Sequence, residues 1–418
     1  IAKKLDAPVL RMGYYPEEME LSTYSVFETG AEIKFLYKQH IVIYYLFKNE
    51  KSNSEISKMK RILCFIDSLG AGGAQRQLVN LAIGLKKRDY IVSFLVYHVD
   101  DFYLPILQEN GIEISNLEID CHLKRVIRCC KFIRKGKFDV VISFLETPSF
   151  ISEIAGLPFH RWKIIVGERS AAPRIVKTIR GRCYRLFHLL ADVVVANSNC
   201  NRLLVKKANP FLSINKNKTI YNLYDLDSLS PDQFIRNKVE DGKFHILVAA
   251  SHQRLKNLSG LAKAISLLAK QERSRLVIDW YGRQDKKCFE ESLSLIKQLG
   301  VEDNFKFYVA TLEIYQKMID ADAVGIFSIY EGLSNTICEA MCLGKIVITT
   351  DISDNRLILQ NDKLISDAHS PKSIAVSLSY LLSLSIDKLN TIGRENRKRA
   401  IQLFSERFVV DQYMALFD

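Results

Sequence analysis

From Lys60 onwards, short continuous apolar runs alternate with amphipathic stretches that have helical spacing. Continuous apolar runs are typical of parallel strands that helices cover on both faces, whereas half-exposed strands alternate apolar and polar residues. This alternation predicts an α/β fold with doubly wound sheets. The runs lie at residues 61–66, 91–96, 140–144, 162–166 and 193–196 in the first half, and at 244–250, 276–281, 305–309, 323–328 and 346–350 in the second.

A polar stretch over residues 221–243, which contains Pro231 and Gly242, interrupts the alternation. It divides the chain into two consecutive α/β units. We therefore predict two Rossmann-like domains over residues 60–226 and 227–418, preceded by an extension and polar linker over residues 1–59. Ligands of open α/β sheets bind at the carboxyl ends of the strands, so the active site is expected in the cleft between the two domains.

The formal net charge of +12 calls for an anionic partner, such as nucleic acid, a membrane surface or a phosphorylated substrate. The nine cysteines form no CxxC pair and show no zinc-ligand spacing, which suits free thiols in a reducing cytosol. The longest apolar stretch, residues 33–47, contains Lys34 and Lys38 and is shorter than the roughly 20 residues of a membrane span. We therefore expect a soluble or peripheral protein.

A glycine-rich turn, with Gly70, Gly72 and Gly73, follows the first apolar run and opens a helix. Glycines let the backbone approach a ligand closely, and the helix N-terminus attracts an anion. Gln75 stands where a dinucleotide fingerprint needs its third glycine, so NAD is not expected. A tight turn without a ligand explains this loop equally well.

Glu331 and Glu339 frame a predicted helix in the second domain. Ser334 suits the N-cap of this helix, and Gly344 suits its C-terminal stop. At about 1.5 Å per residue, Glu339 lies roughly 7 Å along the helix. Two carboxylates so placed could contact different ends of one extended ligand, although two solvated glutamates fit the spacing equally.

Arg254 and Lys256 follow the run that ends at Ala250 and open the next helix. Cations at a strand end could neutralise a diphosphate and stabilise a leaving nucleotide. A surface charge pair is the alternative.

These three motifs, in this order and setting, resemble the retaining glycosyltransferases of family 4, which have the GT-B fold. The resemblance runs from about Lys60 to the end of the chain. It also includes residues 193–198, 220–225, 281–282, 321–323 and 344–347.

The resemblance implies transfer, with retention, of a hexose or N-acetylhexosamine from a UDP- or GDP-sugar. The acceptor would be a glycan or a lipid-pyrophosphate-linked glycan in surface polysaccharide synthesis, with no cofactor and no obligatory metal. The last helix would pack back on the N-terminal domain. By resemblance, Glu331 would contact the transferred sugar and Glu339 the ribose. Lys256 and Arg254 would hold the diphosphate. Gly72 and Gly73 would lie against the phosphate and the acceptor, and the backbone of Leu333, Ser334 and Asn335 would also face the phosphates.

The chain departs from the family pattern in three places. Arg254 lies closer to the lysine than the family's arginine does, and Ile346 replaces a common proline. The histidine that many members carry in the N-terminal cleft is missing. The corresponding strand ends carry Glu146, Glu168 and Arg169, which we predict as acceptor-side residues.

Two segments, residues 124–137 and 174–185, are strongly basic. Apolar residues interleave with the cations of the first segment at helical spacing, an interfacial pattern. Contact with an anionic membrane or a lipid-pyrophosphate acceptor explains both segments, as does a solvated helix face. We expect a cytoplasmic protein that is peripheral on the inner face of the membrane.

Two acidic doublets, Asp225 with Asp227 and Asp320 with Asp322, match the Asp-x-Asp of metal-dependent glycosyltransferases. The first falls in the interdomain connection, and Asp322 is expected to cap at a helix end. The eight histidines are dispersed. We therefore predict no metal site.

Two other functions stay open on the sequence alone. A GT-B-type sugar-nucleotide epimerase would share the fold, and the charge suits a non-catalytic anion- or nucleic-acid-binding protein. The glutamate arrangement with Gly72 and Gly73 favours the transferase. No nucleic-acid motif is present, so we expect no nucleic-acid partner.

Overall fold

The computed structural model describes residues 26–29, 32–37, 40–45, 59–170, 172–226, 242–311 and 313–418. The chain divides into two units, residues 1–58 and residues 59–418. In the first unit, the described backbone forms an antiparallel sheet of β1 (Val26–Thr29), β2 (Glu32–Tyr37) and β3 (His40–Tyr45). The predicted linker at residues 48–58 and most of the interdomain connection, residues 227–241, lie outside the described residues.

The first half of the larger unit contains, in its described residues, one sheet of seven parallel strands in the order β10-β9-β8-β7-β4-β5-β6. The central strands are buried over nearly their whole length because helices cover both faces. The strands are β4 (Arg61–Phe65), β5 (Ile91–Val96), β6 (Glu113–Asn116), β7 (Val140–Phe144), β8 (Lys163–Glu168), β9 (Val193–Ala196) and β10 (Asn217–Thr219).

The helices that cover this sheet follow the strands in alternation. They are α1 (Gly73–Lys86), α2 (Leu104–Glu109), α3 (His122–Lys135), α4 (Glu146–Ala155), α5 (Arg174–Lys177), α6 (Ile179–Leu186) and α7 (Asn199–Ala208), with a short 3₁₀ turn at Phe187–Leu189.

The second half contains a six-stranded parallel sheet, as far as the described residues extend, in the order β13-β12-β11-β14-β15-β16. Its strands are β11 (Phe244–Ala249), β12 (Leu276–Tyr281), β13 (Phe305–Tyr308), β14 (Ala323–Ile326), β15 (Val347–Thr350) and β16 (Ile365–Ser366). The strand order is that of a dinucleotide-binding fold.

The helices of the second half include three short 3₁₀ turns, at Arg254–Lys256, Glu302–Asn304 and Asp362–Leu364. The α-helices are α8 (Leu258–Ser266), α9 (Lys270–Arg275), α10 (Lys286–Leu299), α11 (Ile314–Asp320), α12 (Asn335–Cys342), α13 (Asn355–Leu359), α14 (Pro371–Leu382), α15 (Ile386–Phe404) and α16 (Glu406–Met414). The predicted α/β class with two doubly wound sheets is confirmed. Across the described ranges, no helix combines the length and apolar character that a membrane span requires.

The last helix, α16, belongs to the core of the first half. Val409, Val410 and Tyr413 are fully buried in the cluster that contains Leu78 of α1. A Cβ atom at Gly84 of α1 would lie 2.6 Å from Cγ2 of Val410, so α16 approaches α1 closely. The chain thus returns to its first domain after completing the second.

Helix α15 packs against the C-terminal end of α12 and donates hydrogen bonds there. Gly344 follows α12 with a φ of +64°. The carbonyl of Cys342 before it accepts a hydrogen bond from Arg397, and the carbonyl of Lys345 after it accepts one from Asn396. The bond to Cys342 satisfies a carbonyl that a helix end would leave without a partner. A Cβ atom at Gly393 of α15 would lie 2.1 Å from the carbonyl oxygen of Gly344, so glycine is required at this crossing.

Gly393→Ala is expected to lower the free energy of unfolding by about 1–3 kcal/mol, because the added methyl overpacks a contact with rigid backbone. Thermal unfolding followed by scanning fluorimetry checks this. The control is Asn390→Ala, an exposed position on the same helix that should change stability by less than about 0.5 kcal/mol. Equal melting temperatures for the two variants would contradict the packing argument.

His252 is buried at the end of β11 among aromatic side chains. Its ring lies 5.5 Å from the Trp280 ring and 4.4 Å from the Phe289 ring. Both ring nitrogens lack a hydrogen-bond partner within the described part of the chain. Burial lowers the pKa of His252, because the charged imidazolium would lose its hydration there.

The protein should therefore lose stability as the pH falls below about 6.5, the ordinary histidine pKa, because the unfolded chain binds a proton that folded His252 resists. His252→Leu should reduce this acid sensitivity, so its advantage in melting temperature over the wild type should grow from about pH 8 to about pH 5. His369→Leu, at an exposed histidine of the same domain, is the matched control. Parallel pH profiles for wild type and His252→Leu would contradict this account.

Candidate active site

The carboxyl ends of β11 and β14 bring Lys256 and Glu331 together. These two strands are hydrogen-bonded neighbours at the point where the strand order reverses, where an open α/β sheet has its crevice. The backbone N–H of Ile329 donates to the carbonyl of Leu255 at 2.8 Å and joins the two loops. Lys256 Nζ pairs with Glu331 Oε1, and the two side chains are only 20% and 18% exposed.

The Glu331 carboxylate is further oriented by Ser328, whose hydroxyl donates to Oε1 at 3.0 Å. One oxygen of the carboxylate thus takes both contacts. The arrangement sets a fixed ammonium group beside a fixed carboxylate at the mouth of the crevice. Such a pair can bind a phosphate through the ammonium and sugar hydroxyls through the carboxylate.

Helix α12 starts and stops where the sequence predicts. Ser334 is its N-cap residue, and Gly344 follows its C-terminus in the left-handed conformation. The Ser334 side chain, however, makes no capping hydrogen bond. Leu333 and Ser334 are buried, and Leu333 and Asn335 line the pocket at the cleft, so the N-terminus of α12 lies at its wall.

The N-terminus of α1 meets the N-terminus of α12 across the cleft. A Cβ atom at Gly73 would lie 2.8 Å from Nδ2 of Asn335, so the Asn335 side chain packs into space that a side chain at position 73 would need. Gly72 is the N-cap residue of α1. Asn335 Oδ1 accepts hydrogen bonds from Asn222 Nδ2 at 2.8 Å and from the Tyr224 hydroxyl at 2.7 Å.

One turn further along both helices, Arg76 of α1 forms an ion pair with Glu339 of α12. The carboxylate is 7% exposed and the guanidinium side chain 27%. The structure thus brings Gly73, Arg76, Asn335 and Glu339 together, with Lys256 and Glu331 on the adjoining loops.

Arg254 does not join this group. Its guanidinium pairs with Glu291 of α10 at 2.8 Å, and its side chain is 74% exposed. The 3₁₀ turn places Arg254 and Lys256 on different sides, so only the lysine turns to the crevice. The surface charge pair that the sequence left open is what the structure shows.

The acceptor-side candidates lie in the first domain around a pocket of about 340 Å³. Glu146, Glu168 and Arg169 line it, and Gly73 and Asn335 close its other side. The pocket therefore lies at the crevice beside β4 and β7, the strands at which the first sheet reverses its order.

A buried ionic chain runs behind this pocket. Arg185 donates to Glu146 at 2.6 Å and to Glu168 at 2.8 Å. His188 bridges Glu168 at 2.9 Å and Glu153 at 2.6 Å through its two ring nitrogens. Carboxylates and cations thus alternate along five side chains, and this pairing offsets the desolvation cost of burying the charges.

The pKa values follow from this alternation. Burial opposes the ionisation of Glu168, but Arg185 and His188 overcome it and lower the pKa to about 2. Burial likewise disfavours charged His188, but Glu153 and Glu168 raise its pKa to about 9. Burial raises the pKa of Glu153 despite the neighbouring imidazolium.

Arg185 and His188 donate hydrogen bonds to the two carboxylate oxygens of Glu168. Glu168 therefore stabilises the buried cations of the domain. Glu146 differs, because its side chain is 31% exposed and lies at the pocket end of the chain. Of the two predicted carboxylates, Glu146 is the one free to meet a ligand.

Arg169 joins the pocket to the last helix. Its guanidinium donates to the Tyr413 hydroxyl of α16 at 2.5 Å and lies 3.7 Å from the centre of the Phe144 ring. These two contacts hold its side chain at the pocket wall.

Sequence reasoning missed Arg185 and His188, which it read as part of a basic surface segment and as a dispersed histidine. Gly181, Arg185 and His188 have helical spacing and are all buried in the structure, but no apolar pattern at these positions of the sequence would have predicted it. It also missed Asp354 of the second domain, which accepts hydrogen bonds from the backbone N–H groups of Asn199 and Cys200 and so caps α7 of the first.

The acidic doublets do not form a metal site in the described residues, where no group of three potential ligands occurs. Asp322 accepts a hydrogen bond from the backbone of His245 at 2.7 Å instead of capping a helix. Asp227 lies outside the described residues.

The basic segment on α3 also packs differently from its interfacial pattern. Cys129 and Ile133 are buried, and Val126 and Phe132 pack against the same core. The outward face carries Leu123, Lys124, Ile127, Arg128 and Lys131, with Leu123 and Ile127 at 68% and 58% exposure. We call these five residues the α3 face.

Comparison with known proteins agrees with this geometry. Residues 230–399 match the family model of glycosyl transferases group 1. An N-acetylgalactosamine-N,N'-diacetylbacillosaminyl-diphospho-undecaprenol 4-alpha-N-acetylgalactosaminyltransferase from Campylobacter jejuni is 24% identical over 83% of this chain and 96% of that protein. A GalNAc-alpha-(1->4)-GalNAc-alpha-(1->3)-diNAcBac-PP-undecaprenol alpha-1,4-N-acetyl-D-galactosaminyltransferase from the same organism is 25% identical over 68% of this chain and 77% of that protein.

Among solved structures, Anabaena Alr3699/HepE in complex with UDP and glucose superposes with a TM-score of 0.70. It is 18% identical and covers 85% of this chain and 98% of its own, so the likeness concerns the fold. With its two sheets and its curated relatives, this chain is a glycosyltransferase of the GT-B fold, and residues 230–399 of its second half match the glycosyl transferases group 1 model.

Proposed function

We propose that this enzyme moves a hexose or N-acetylhexosamine from a nucleoside-diphosphate sugar to a lipid-linked glycan, with retention and without a metal ion. The observation that carries the proposal is the Lys256–Glu331 pair at the crevice of the second sheet. It faces a domain whose Gly73 lies against Asn335, so a donor held by this pair lies beside the acceptor-side pocket.

The relatives support the class of substrate. Both Campylobacter jejuni relatives are named for transferring N-acetylgalactosamine to diphospho-undecaprenol-linked sugars. Anabaena Alr3699/HepE holds UDP and glucose. We therefore propose a UDP-sugar as the first donor to test, with GDP-sugars as the alternative, and a lipid pyrophosphate as the acceptor's carrier.

Each donor group meets a suitable side chain in this proposal. Lys256 neutralises the diphosphate, and Glu331 accepts hydrogen bonds from hydroxyls of the transferred sugar. Glu339 accepts from the ribose. The N-terminus of α12, at Asn335, adds a positive dipole end for the phosphates.

The transfer step needs no protein base. The bond between the anomeric carbon and the donor's phosphate oxygen breaks while the acceptor hydroxyl oxygen bonds to that carbon from the same face. The hydroxyl proton passes to the departing phosphate oxygen, and the nucleoside diphosphate leaves. Lys256 stabilises the negative charge that develops on the phosphate, the place where fixed electrostatics lowers a barrier most. Glu146 orients the acceptor by accepting a hydrogen bond in the pocket from a neighbouring hydroxyl of the acceptor sugar, which leaves the proton of the attacking hydroxyl to the phosphate oxygen.

The first test identifies the donor by thermal shift against UDP-, GDP- and ADP-sugars, since a ligand at about 100 times its Kd stabilises by about 2.7 kcal/mol. Turnover is then measured with a lipid-pyrophosphate glycan. Lys256→Met should lower kcat roughly 100- to 1000-fold, because it removes the cation that meets the developing charge. Glu331→Gln should lower kcat by a similar factor, and a chelator should leave the rate unchanged.

Lys263→Met, at an exposed position of the following helix, is the matched control and should retain full activity. Nuclear magnetic resonance of the product's anomeric proton reports retention or inversion. Product formed without any acceptor would point to an epimerase and overturn the proposal. Full activity in both site variants would show that the pair has been misassigned.

We also propose that the α3 face holds the protein on an anionic membrane, at the cytoplasmic side where a lipid-linked acceptor would be met. Leu123 and Ile127 offer apolar contact, and Lys124, Arg128 and Lys131 surround them on the same exposed face. Exposed apolar residues ringed by cations are typical of helices that bind at a membrane interface.

The variant Lys124→Gln, Arg128→Gln, Lys131→Gln should bind vesicles containing phosphatidylglycerol roughly 100-fold more weakly, since each basic residue contributes about 1 kcal/mol near an anionic surface. Co-sedimentation measures this. The control changes three exposed lysines of α10, Lys286, Lys287 and Lys297, to Gln and should bind like wild type. Equal losses in both variants would mean that net charge, not this face, governs binding.

A further inference from the structure

Arg76 extends from the first domain across the cleft to Glu339 of the second. It lies on α1, one turn after Gly73, and Glu339 lies on α12, one turn after Asn335. Residues three or four apart share a helix face, so the pairs face each other across the cleft. Gly73 lies against Asn335, and Arg76 pairs with Glu339.

The surroundings make this pair strong and directional. The guanidinium lies 5.7 Å from the centre of the Tyr224 ring, and the Tyr315 hydroxyl donates to Glu339 Oε1 at 3.5 Å. Burial opposes the charge on Arg76, but Glu339 outweighs it and raises the pKa of the guanidinium further. The pair therefore stays ionic in a site from which much of the water is excluded.

Both contacts to the carboxylate use the same oxygen. Arg76 and Tyr315 each donate to Oε1 of Glu339. The carboxylate is thereby fixed in rotation, with Oε2 turned to accept another donor. A vicinal diol is such a donor, and a carboxylate held in place binds it without losing further side-chain freedom.

We propose that Arg76 is a positioning residue for the nucleotide: from the opposite domain, it orients Glu339 to bind the ribose. This inference rests on the proposed function, in which Glu339 binds the ribose of the donor. It adds that donor affinity depends on a residue of the other domain, so nucleotide binding and the closed arrangement of the cleft stabilise each other.

A purely structural ion pair would predict a different result. Loss of such a pair lowers stability and leaves the affinity of folded enzyme for nucleotide unchanged. Loss of a positioning residue raises the donor KM and the nucleotide Kd, while the chemical step keeps its rate because Lys256 and Glu331 are untouched.

The test measures Kd for UDP and GDP by calorimetry, together with kcat and KM for donor and acceptor. Arg76→Met should raise the nucleotide Kd and donor KM by roughly 10- to 100-fold, with kcat within about threefold of wild type. Arg76→Lys should recover much of the loss, since it restores the charge. Arg76→Met combined with Glu339→Gln should bind no more weakly than the weaker single variant, because the two residues act as one unit.

Arg88→Met is the matched control. Arg88 lies just beyond the C-terminal end of α1, at the opposite end of that helix from Gly73, and it also pairs with a carboxylate of α16, Asp411, at 2.6 Å. This variant should leave nucleotide binding unchanged even where it lowers the melting temperature.

The outcomes separate the two proposals. If Arg76→Met binds UDP and GDP as tightly as the wild type, the inference about Arg76 is overturned and the proposed function stands. A fall in kcat without any change in nucleotide Kd would also overturn it. Wild-type enzyme that binds neither nucleotide would overturn the proposed function and this inference together.

Discussion

Every part of the cleft depends on one constraint of parallel sheets, in which all strands end at the same edge. Where the strand order reverses, the loops that follow two neighbouring strands turn to opposite faces and leave a crevice between them. β4 and β7 form this reversal in the first domain, and β11 and β14 form it in the second. Gly73 and Glu146 follow the first two strands, and Lys256 and Glu331 follow the second two. The residues proposed for binding and transfer therefore lie in loops and at helix starts whose places the sheets determine.

The buried ionic chain restrains the carboxylate of Glu146 at the edge of the pocket. An isolated buried charge would be severely destabilising, but Arg185 and His188 each lie between two carboxylates. Glu168, at the centre, is held ionised by these cations and orients both. Glu146, at the end, is partly exposed and lines the pocket, while Arg185 donates to its Oε1. The interior of the domain thus fixes the orientation of its surface carboxylate.

The sequence predicted features whose cause is local. The bounds of α12 follow from Ser334 and Gly344, and the proximity of Lys256 and Glu331 follows from their places after strands of one sheet. Features that depend on a partner distant in the chain were not predictable in the same way. Arg254 carries the same charge as Lys256, yet it forms an ion pair with Glu291 of α10. The sequence around Arg254 does not predict this partner. Arg185 was grouped with a basic segment, and it is instead paired with Glu168 inside the domain. Charge patterns predict where ions lie along the chain, but tertiary packing decides which of them meet.

Contacts between the two domains divide by chemical character, and this division bears on function. Behind the cleft, α16 packs its apolar residues Val409 and Val410 into the core of the first domain. Apolar packing of this kind has no substitute in water or in a nucleotide, so it keeps the domains joined. Across the cleft the contacts are polar: Arg76 with Glu339, and Asp354 with the N-terminus of α7. Polar groups can exchange one partner for another at small net cost, because water or a ligand can satisfy the same donors and acceptors. The fold therefore places its permanent contacts at the back and its exchangeable contacts where substrate enters, which is the arrangement that a two-substrate transferase needs in order to bind and release.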